Sequence, residues 1–236
     1  MINNLVRDYA QTLEKPTEEY LRGVFNRLCD MYDYSCLPER FLVTEIDDSK
    51  TPKKLKALND EIVSIMNGYN SIGVRLPDFK YGGYVTSKLL YTYILNQLKL
   101  DKHIKSFLYI DTDVFMRDLK RFMNKDEFED VGLALEYNKD TLFRSIYEAD
   151  FVFWNKFNTV TSNYDMGQLY EILTRRYNHL KGNVFFGALP NIKDDTKLLF
   201  SNVDKNISDV MNIQKIKDLS VDKYSIVNIE EYRDGK

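Results

Sequence analysis

Phe107-Leu-Tyr-Ile-Asp-Thr-Asp-Val-Phe-Met-Arg-Asp-Leu119 decides how this chain is read. Four apolar residues, Phe107 to Ile110, run into two aspartates one residue apart. The run is short, continuous and rich in aromatic and β-branched types, which predicts a buried strand. Asp111 and Asp113 then fall at its carboxyl end, the edge of an open α/β sheet where ligands bind. On an extended chain residues i and i+2 point to the same side, so the spacing predicts two carboxylates converging on one volume. Left alone, such a pair repels. A divalent cation resolves the conflict, and hard oxygen ligands suit Mg2+ or Mn2+. The bare Asp-x-Asp pattern is also met in solvated loops after strands. Here the apolar continuation Val114-Phe115-Met116 argues for a buried setting.

Outward from this strand the pattern alternates between periods of two and 3.6. A helix is expected over 85–98, with Leu89, Leu90, Tyr93, Ile94 and Leu98 inward, and a strand over Ile72–Leu76 before it. Phe41–Ile46 reads as an earlier strand. Thr51-Pro52 starts a helix carrying Leu55, Leu58, Ile62, Ile65 and Met66 on one face. Residues 17–33 read as a helix with Thr17 as N-cap. Downstream, Val131–Leu135 and Asn183–Ala188 are expected strands, with a helix marked by Met166, Leu169, Tyr170 and Leu173 between them. A short helix over Ser208–Lys217 and a last strand over Tyr224–Ile229 complete the pattern. Trp154, the only tryptophan, reads as core. Strand, helix, strand, helix, strand implies crossover connections and a largely parallel sheet.

Composition bounds the function. At 236 residues the chain buries a substantial core, and 44% hydrophobic residues exclude a disordered chain. A formal charge of -3 argues against a general nucleic-acid binder. Cys29 and Cys36, the only cysteines, form neither a metal spacing nor a disulfide framework. The first residues lack an apolar signal region and no stretch is long and apolar enough to span a bilayer, so a cytoplasmic protein is expected. Lys50, Lys53, Lys54 and Lys56 cluster near one helix start, which allows weak peripheral contact with an anionic membrane.

Over roughly residues 40–215 the ordered features resemble the GT-A-type glycosyltransferases, the nucleotide-diphospho-sugar transferases. Those features are the strand Phe41–Ile46, the segment Tyr84-Val-Thr-Ser-Lys88 and the motif Leu108-Tyr-Ile-Asp-Thr-Asp-Val114 with Arg117-Asp118-Leu119. Asn183-Val-Phe-Phe-Gly-Ala188 and, weakly, Asp209-Val-Met-Asn212 follow in the same order. The resemblance implies a GT-A-like Rossmann-type α/β domain over 39–236, its mostly parallel sheet flanked by helices. Residues 1–38 would be an added N-terminal helical segment. It implies a metal-dependent transfer of a sugar from a nucleoside-diphosphate donor to a glycan, protein or lipid acceptor, with no nucleic-acid partner.

In that scheme Asp111 and Asp113 hold Mn2+ or Mg2+, and Asp111 alternatively meets the ribose. Lys88 faces the donor phosphates, Thr44 the base or ribose, and Glu136 acts as a base or sugar ligand. Asn183 and Gly187 shape the sugar pocket. The metal would neutralise charge developing on the leaving diphosphate. Each residue has a plainer reading beside this one: Thr44 a strand former, Lys88 a helix-surface lysine, Glu136 a solvated strand end, Gly187 a packing contact. The chain departs from the family pattern in lacking a C-terminal His-x-x-Gly motif, so no third metal ligand is assigned. Alternatives are a haloacid-dehalogenase-like phosphatase, for which Asp-x-Asp sits unusually far along the chain, and a non-catalytic α/β binding module.

Overall fold

The computed structural model describes residues 71–83, 85, 86, 89, 90, 93, 97, 105–123, 143–160, 162–189, 195 and 198–219. The expected elements at 17–33, 41–46, 51–66, 131–135 and 224–229 lie outside these residues, as do Thr44, Lys88, Glu136 and the four clustered lysines.

Among the described residues five strands form one sheet: β1 (Ser71–Leu76), β2 (Phe107–Asp111), β3 (Phe151–Asn155), β4 (Gly182–Ala188) and β5 (Ile213–Asp218). Their order is β2-β3-β4-β1-β5, and all four pairings are parallel. Three helices follow strands: α1 (Thr112–Met123) after β2, α2 (Asn163–Asn178) after β3 and α3 (Lys205–Met211) after β4. Residues 143–148 are helical, as are Gly82, Gly83, Val85, Thr86, Leu89, Leu90, Tyr93 and Gln97 beyond β1. Among the described residues the architecture is therefore an α/β sheet flanked by helices, and no helix is long and apolar enough to cross a membrane.

Burial explains the strands. Every residue of β1 and β3 is buried, as expected of parallel strands covered on both faces. Side chains alternate along each strand. Leu108, Ile110, Val152 and Trp154 thus join Phe115 and Leu119 of α1, Leu169, Ile172 and Leu173 of α2, and Ile207 and Met211 of α3 in one core. Trp154 is its centre, edge-on to Phe115 at 6.2 Å and to Phe157 at 6.1 Å.

Two expectations change. Phe151–Asn155, which sequence treats only as a core segment around Trp154, is a full strand between β2 and β4. The helix expected over Ser208–Lys217 stops at Met211, because Asn212 turns left-handed (φ 47°) and Ile213–Asp218 pairs with β1. A register shift lets Ser71 face Ile213 and Ile72 face Lys215. That bulge puts Ile213 and Ile216, three apart, against the same glycine, Gly73. A helix-like spacing of isoleucines is therefore produced by a strand.

The topology sets where a ligand would sit. From β1 the chain leaves for the far edge, returns through β3 and β4 to β1, and then passes to β5 on the other side. Connections from β1 and β4 thus run in opposite directions, the topology at which α/β sheets place ligands beyond the strands' carboxyl ends.

Candidate functional site

Asp111 is the last residue of β2, and Thr112 already belongs to α1. Asp113 is therefore helical, and the extended i, i+2 argument for a shared side does not apply. The two carboxylates meet nonetheless, because a third residue gathers them. Lys156, directly after β3, places its Nζ 3.0 Å from Asp111 Oδ2 and 3.5 Å from Asp113 Oδ2. Burial alone would push this ammonium down. The hydrogen bond and charge of Asp111, then those of Asp113, outweigh it and hold Lys156 above the ordinary lysine range.

Local structure fixes each member. Asp111 Oδ1 accepts from the Val114 N–H at 3.3 Å, so Asp111 also caps the first turn of α1. The Thr112 hydroxyl donates to the Asn155 carbonyl at 2.6 Å and joins the ends of β2 and β3. Lys156 is left-handed (φ 57°), a conformation that costs a non-glycine residue about 1–2 kcal/mol. That turn leads into a short 3-10 helix, Phe157–Thr159, whose Thr159 hydroxyl reaches Asp113 Oδ1 at 2.7 Å.

This arrangement does not fit a divalent ion as it stands. The point on which both carboxylates converge is taken by an ammonium. A doubly charged ion 4 Å from it would meet repulsion of about 8 kcal/mol at an effective dielectric of 20. Among the described residues no group of three or more His, Cys, Asp or Glu side chains gathers to hold a metal. The conflict between the paired carboxylates is real, but a lysine of the chain resolves it.

The neighbouring crevice is closed in a similar way. Asn155 is buried, and its Nδ2 donates to the Phe79 carbonyl at 3.2 Å. That bond ties the end of β3 to the 3-10 turn Phe79–Tyr81 after β1. Asn155 Oδ1 accepts no hydrogen bond and lies 2.3 Å from where a Cβ on Gly82 would stand. A strand–loop–helix unit of this kind cradles phosphate when its loop carries Gly-rich backbone followed by Lys and Ser or Thr. Here the segment after β1 reads Pro77-Asp-Phe-Lys-Tyr-Gly-Gly83, and the Asn155 amide lies close against Gly82.

The remaining predicted residues scatter. Gly187 lies near the carboxyl end of β4, where an added Cβ would meet Leu199 Cδ1 at 2.8 Å, so its small size serves close packing. Asn183 begins β4 at the opposite edge, paired in register with Ser71 and Val152. Its Oδ1 accepts from Trp154 Nε1 at 3.1 Å and from Arg176 Nε at 2.8 Å. It is a buried hydrogen-bond hub near the amino end of β4, whereas Asp111 closes the carboxyl end of β2. His179 closes α2 as its C-cap.

Sequence reasoning missed Asn155, Lys156, Asn158 and Thr159. Asn158 mimics a strand neighbour, giving its Nδ2 to the Ala188 carbonyl at 2.8 Å and accepting from the Ala188 N–H at 3.3 Å. One signal was present: Phe151-Val-Phe-Trp-Asn-Lys156 repeats the form of the Asp-x-Asp strand, an apolar run ending in polar residues.

Comparison with known protein families and with curated proteins finds no match. Among solved structures the chain is similar to the crystal structure of the DnaC helicase loader, with 14% identity and a TM-score of 0.49, over 71% of this chain and 91% of that one.

Proposed function

We propose that this chain is a non-catalytic α/β binding module whose carboxyl-edge site is held shut by its own side chains. The observation that carries the reading is the ammonium of Lys156, 3.0 Å from Asp111 and 3.5 Å from Asp113. It does for the two carboxylates what a bound cation would do. Asn155, set against Gly82, blocks the adjoining crevice in the same spirit. A site built this way holds loops together at the sheet edge and leaves no open position for a reacting group.

A second reading, the metal-dependent glycosyltransferase, is favoured by one observation. Asp111 and Asp113 do converge on a single cation position, although Asp113 is half exposed. That activity requires Lys156 to leave.

Calorimetry of the full chain with UDP- and GDP-sugars, in Mn2+ and in EDTA, separates the two. The module predicts no metal-dependent gain in affinity and no sugar transfer. Lys156→Met should then create a Mn2+ site from the freed carboxylates, visible by electron paramagnetic resonance. EDTA-sensitive sugar-nucleotide binding by the wild-type chain, with turnover abolished by Asp113→Asn, refutes the module and establishes the transferase.

A further inference from the structure

A second concavity lies at the other end of the sheet. Residues 143–148 supply Phe143, Arg144 and Tyr147, the last turn of α2 supplies Arg175, and Lys181 stands just before β4. They line an open, shallow cavity of about 780 Å3. Its walls border the amino ends of β3 and β4, whereas Asp111 and Lys156 sit at the carboxyl ends of β2 and β3.

The chemistry of the lining is distinctive for a chain of net charge -3. Three cations, Arg144, Arg175 and Lys181, line the cavity with one carboxylate, Glu148, and a second, Glu171, lies close enough to act on Tyr147. Arg144 and Glu148 pair at 2.9 Å, but both are largely exposed, so the pair is weak and exchangeable. Lys181 is anchored from behind by Asp150 at 2.8 Å. Arg175 is different. Its guanidinium lies over the Tyr147 ring, 4.1 Å from the centroid, and Tyr147 packs on Phe143 with centroids 5.9 Å apart. Arg175 also hydrogen-bonds the Tyr147 hydroxyl, which fixes the guanidinium on the ring, and its five-donor fork has further N–H groups for an oxyanion. An aromatic platform, a stacked guanidinium and further cations within one cavity of ligand size match a ligand that is both flat and anionic.

We propose that this amino-edge cavity binds a nucleoside phosphate without metal, its phosphates on Arg175, Lys181 and Arg144 and its base against the Phe143–Tyr147–Arg175 stack. The site goes beyond the carboxyl-edge reading and does not depend on it. It gives the module a small-molecule ligand at a position remote from Lys156.

Calorimetry of the full chain with ADP in EDTA tests the site, with adenosine and pyrophosphate as its two halves. ADP should bind, and each half should bind at least about tenfold more weakly, because ring and phosphate contribute together. Arg175→Ala should weaken ADP by about tenfold or more, and Arg144→Glu should do the same by reversing a charge. Both positions are exposed, so the variants should fold, and Lys205→Ala on α3 serves as an unaffected surface control. Three results each overturn the proposal: no ADP binding at millimolar concentration, pyrophosphate binding as tight as ADP, or ADP binding unchanged in both arginine variants. Binding lost in Lys156→Met but kept in Arg175→Ala would place the nucleotide at the carboxyl edge and equally overturn it.

Discussion

Asn183→Ala distinguishes a ligand-binding asparagine from a structural one. In the fold its Oδ1 accepts from the indole of Trp154 at 3.1 Å and from Arg176 Nε at 2.8 Å, and all three residues are buried. Truncation leaves two buried donors without that acceptor, one of them charged. A buried unsatisfied group costs about 1–3 kcal/mol, more when charged, so the loss should be about 3–5 kcal/mol. With a urea dependence of about 2 kcal/mol/M, the midpoint should fall by roughly 1.5–2.5 M at unchanged slope. Trp154 is the only tryptophan, so its fluorescence follows unfolding and reports directly on the indole hydrogen bond. Asn183→Asp should recover much of the loss, because it restores the acceptor and adds a charge for Arg176. A midpoint shift worth less than about 1 kcal/mol in Asn183→Ala would refute the hub and return Asn183 to the candidates for binding.

Other perturbations test the remaining joints. Gly82→Ala forces a Cβ within 2.3 Å of Asn155 Oδ1, and the resulting overpacking should destabilise by about 1–3 kcal/mol in the same urea assay. Asp150 titrates as a depressed carboxyl: burial would raise its pKa, but hydrogen bonds from Lys181 and from the backbone and hydroxyl of Ser106 outweigh that and lower it. Its stabilisation is therefore present above the unfolded aspartate pKa, near 4, and is lost as pH falls through the lower folded value. Asp150→Asn should be less stable than wild type at pH 7, and the gap should narrow in urea melts as the pH falls below the unfolded aspartate pKa.

How far the sequence reaches depends on whether a feature is local. The apolar run Phe107–Ile110 and the carboxylate at its end were legible because burial and strand ending both show within a few residues. So was the stripe Leu89, Leu90 and Tyr93, all buried. Ile213–Asp218 was not, because a bulge replaces the strand's period of two with a spacing of three. The pairing of Lys156 with Asp111 was also hidden. It joins positions 45 apart, and it depends on Phe151–Asn155 lying beside β2 in register, Asp111 opposite Asn155. Sequence showed that the carboxylates needed a cation. It did not show that the chain supplies one.

The two edges of this sheet have opposite designs, and burial explains why. At the carboxyl edge Asp111, Asp113, Lys156 and Thr159 satisfy one another within the chain, while Asn155 Oδ1 faces a glycine. At the amino edge the deepest cation, Arg176, is likewise consumed, donating to the carbonyls of Ile146, Ala149 and Gly182 as well as to Asn183. Burial pushes its guanidinium down to about 9, partly offset by Asp150, so it stays charged at neutral pH and stitches α2 to the residues before β3 and β4. One residue earlier, Arg175 faces outward and makes its contact with an aromatic ring. Consecutive arginines on a helix thus divide the work. The inner one uses its donors to hold the backbone in place, and that backbone presents the outer one, exposed and hydrogen-bonded to Tyr147, beside Lys181. A module closed at the edge where α/β folds usually bind ligands would still have a preorganised cationic surface at the other.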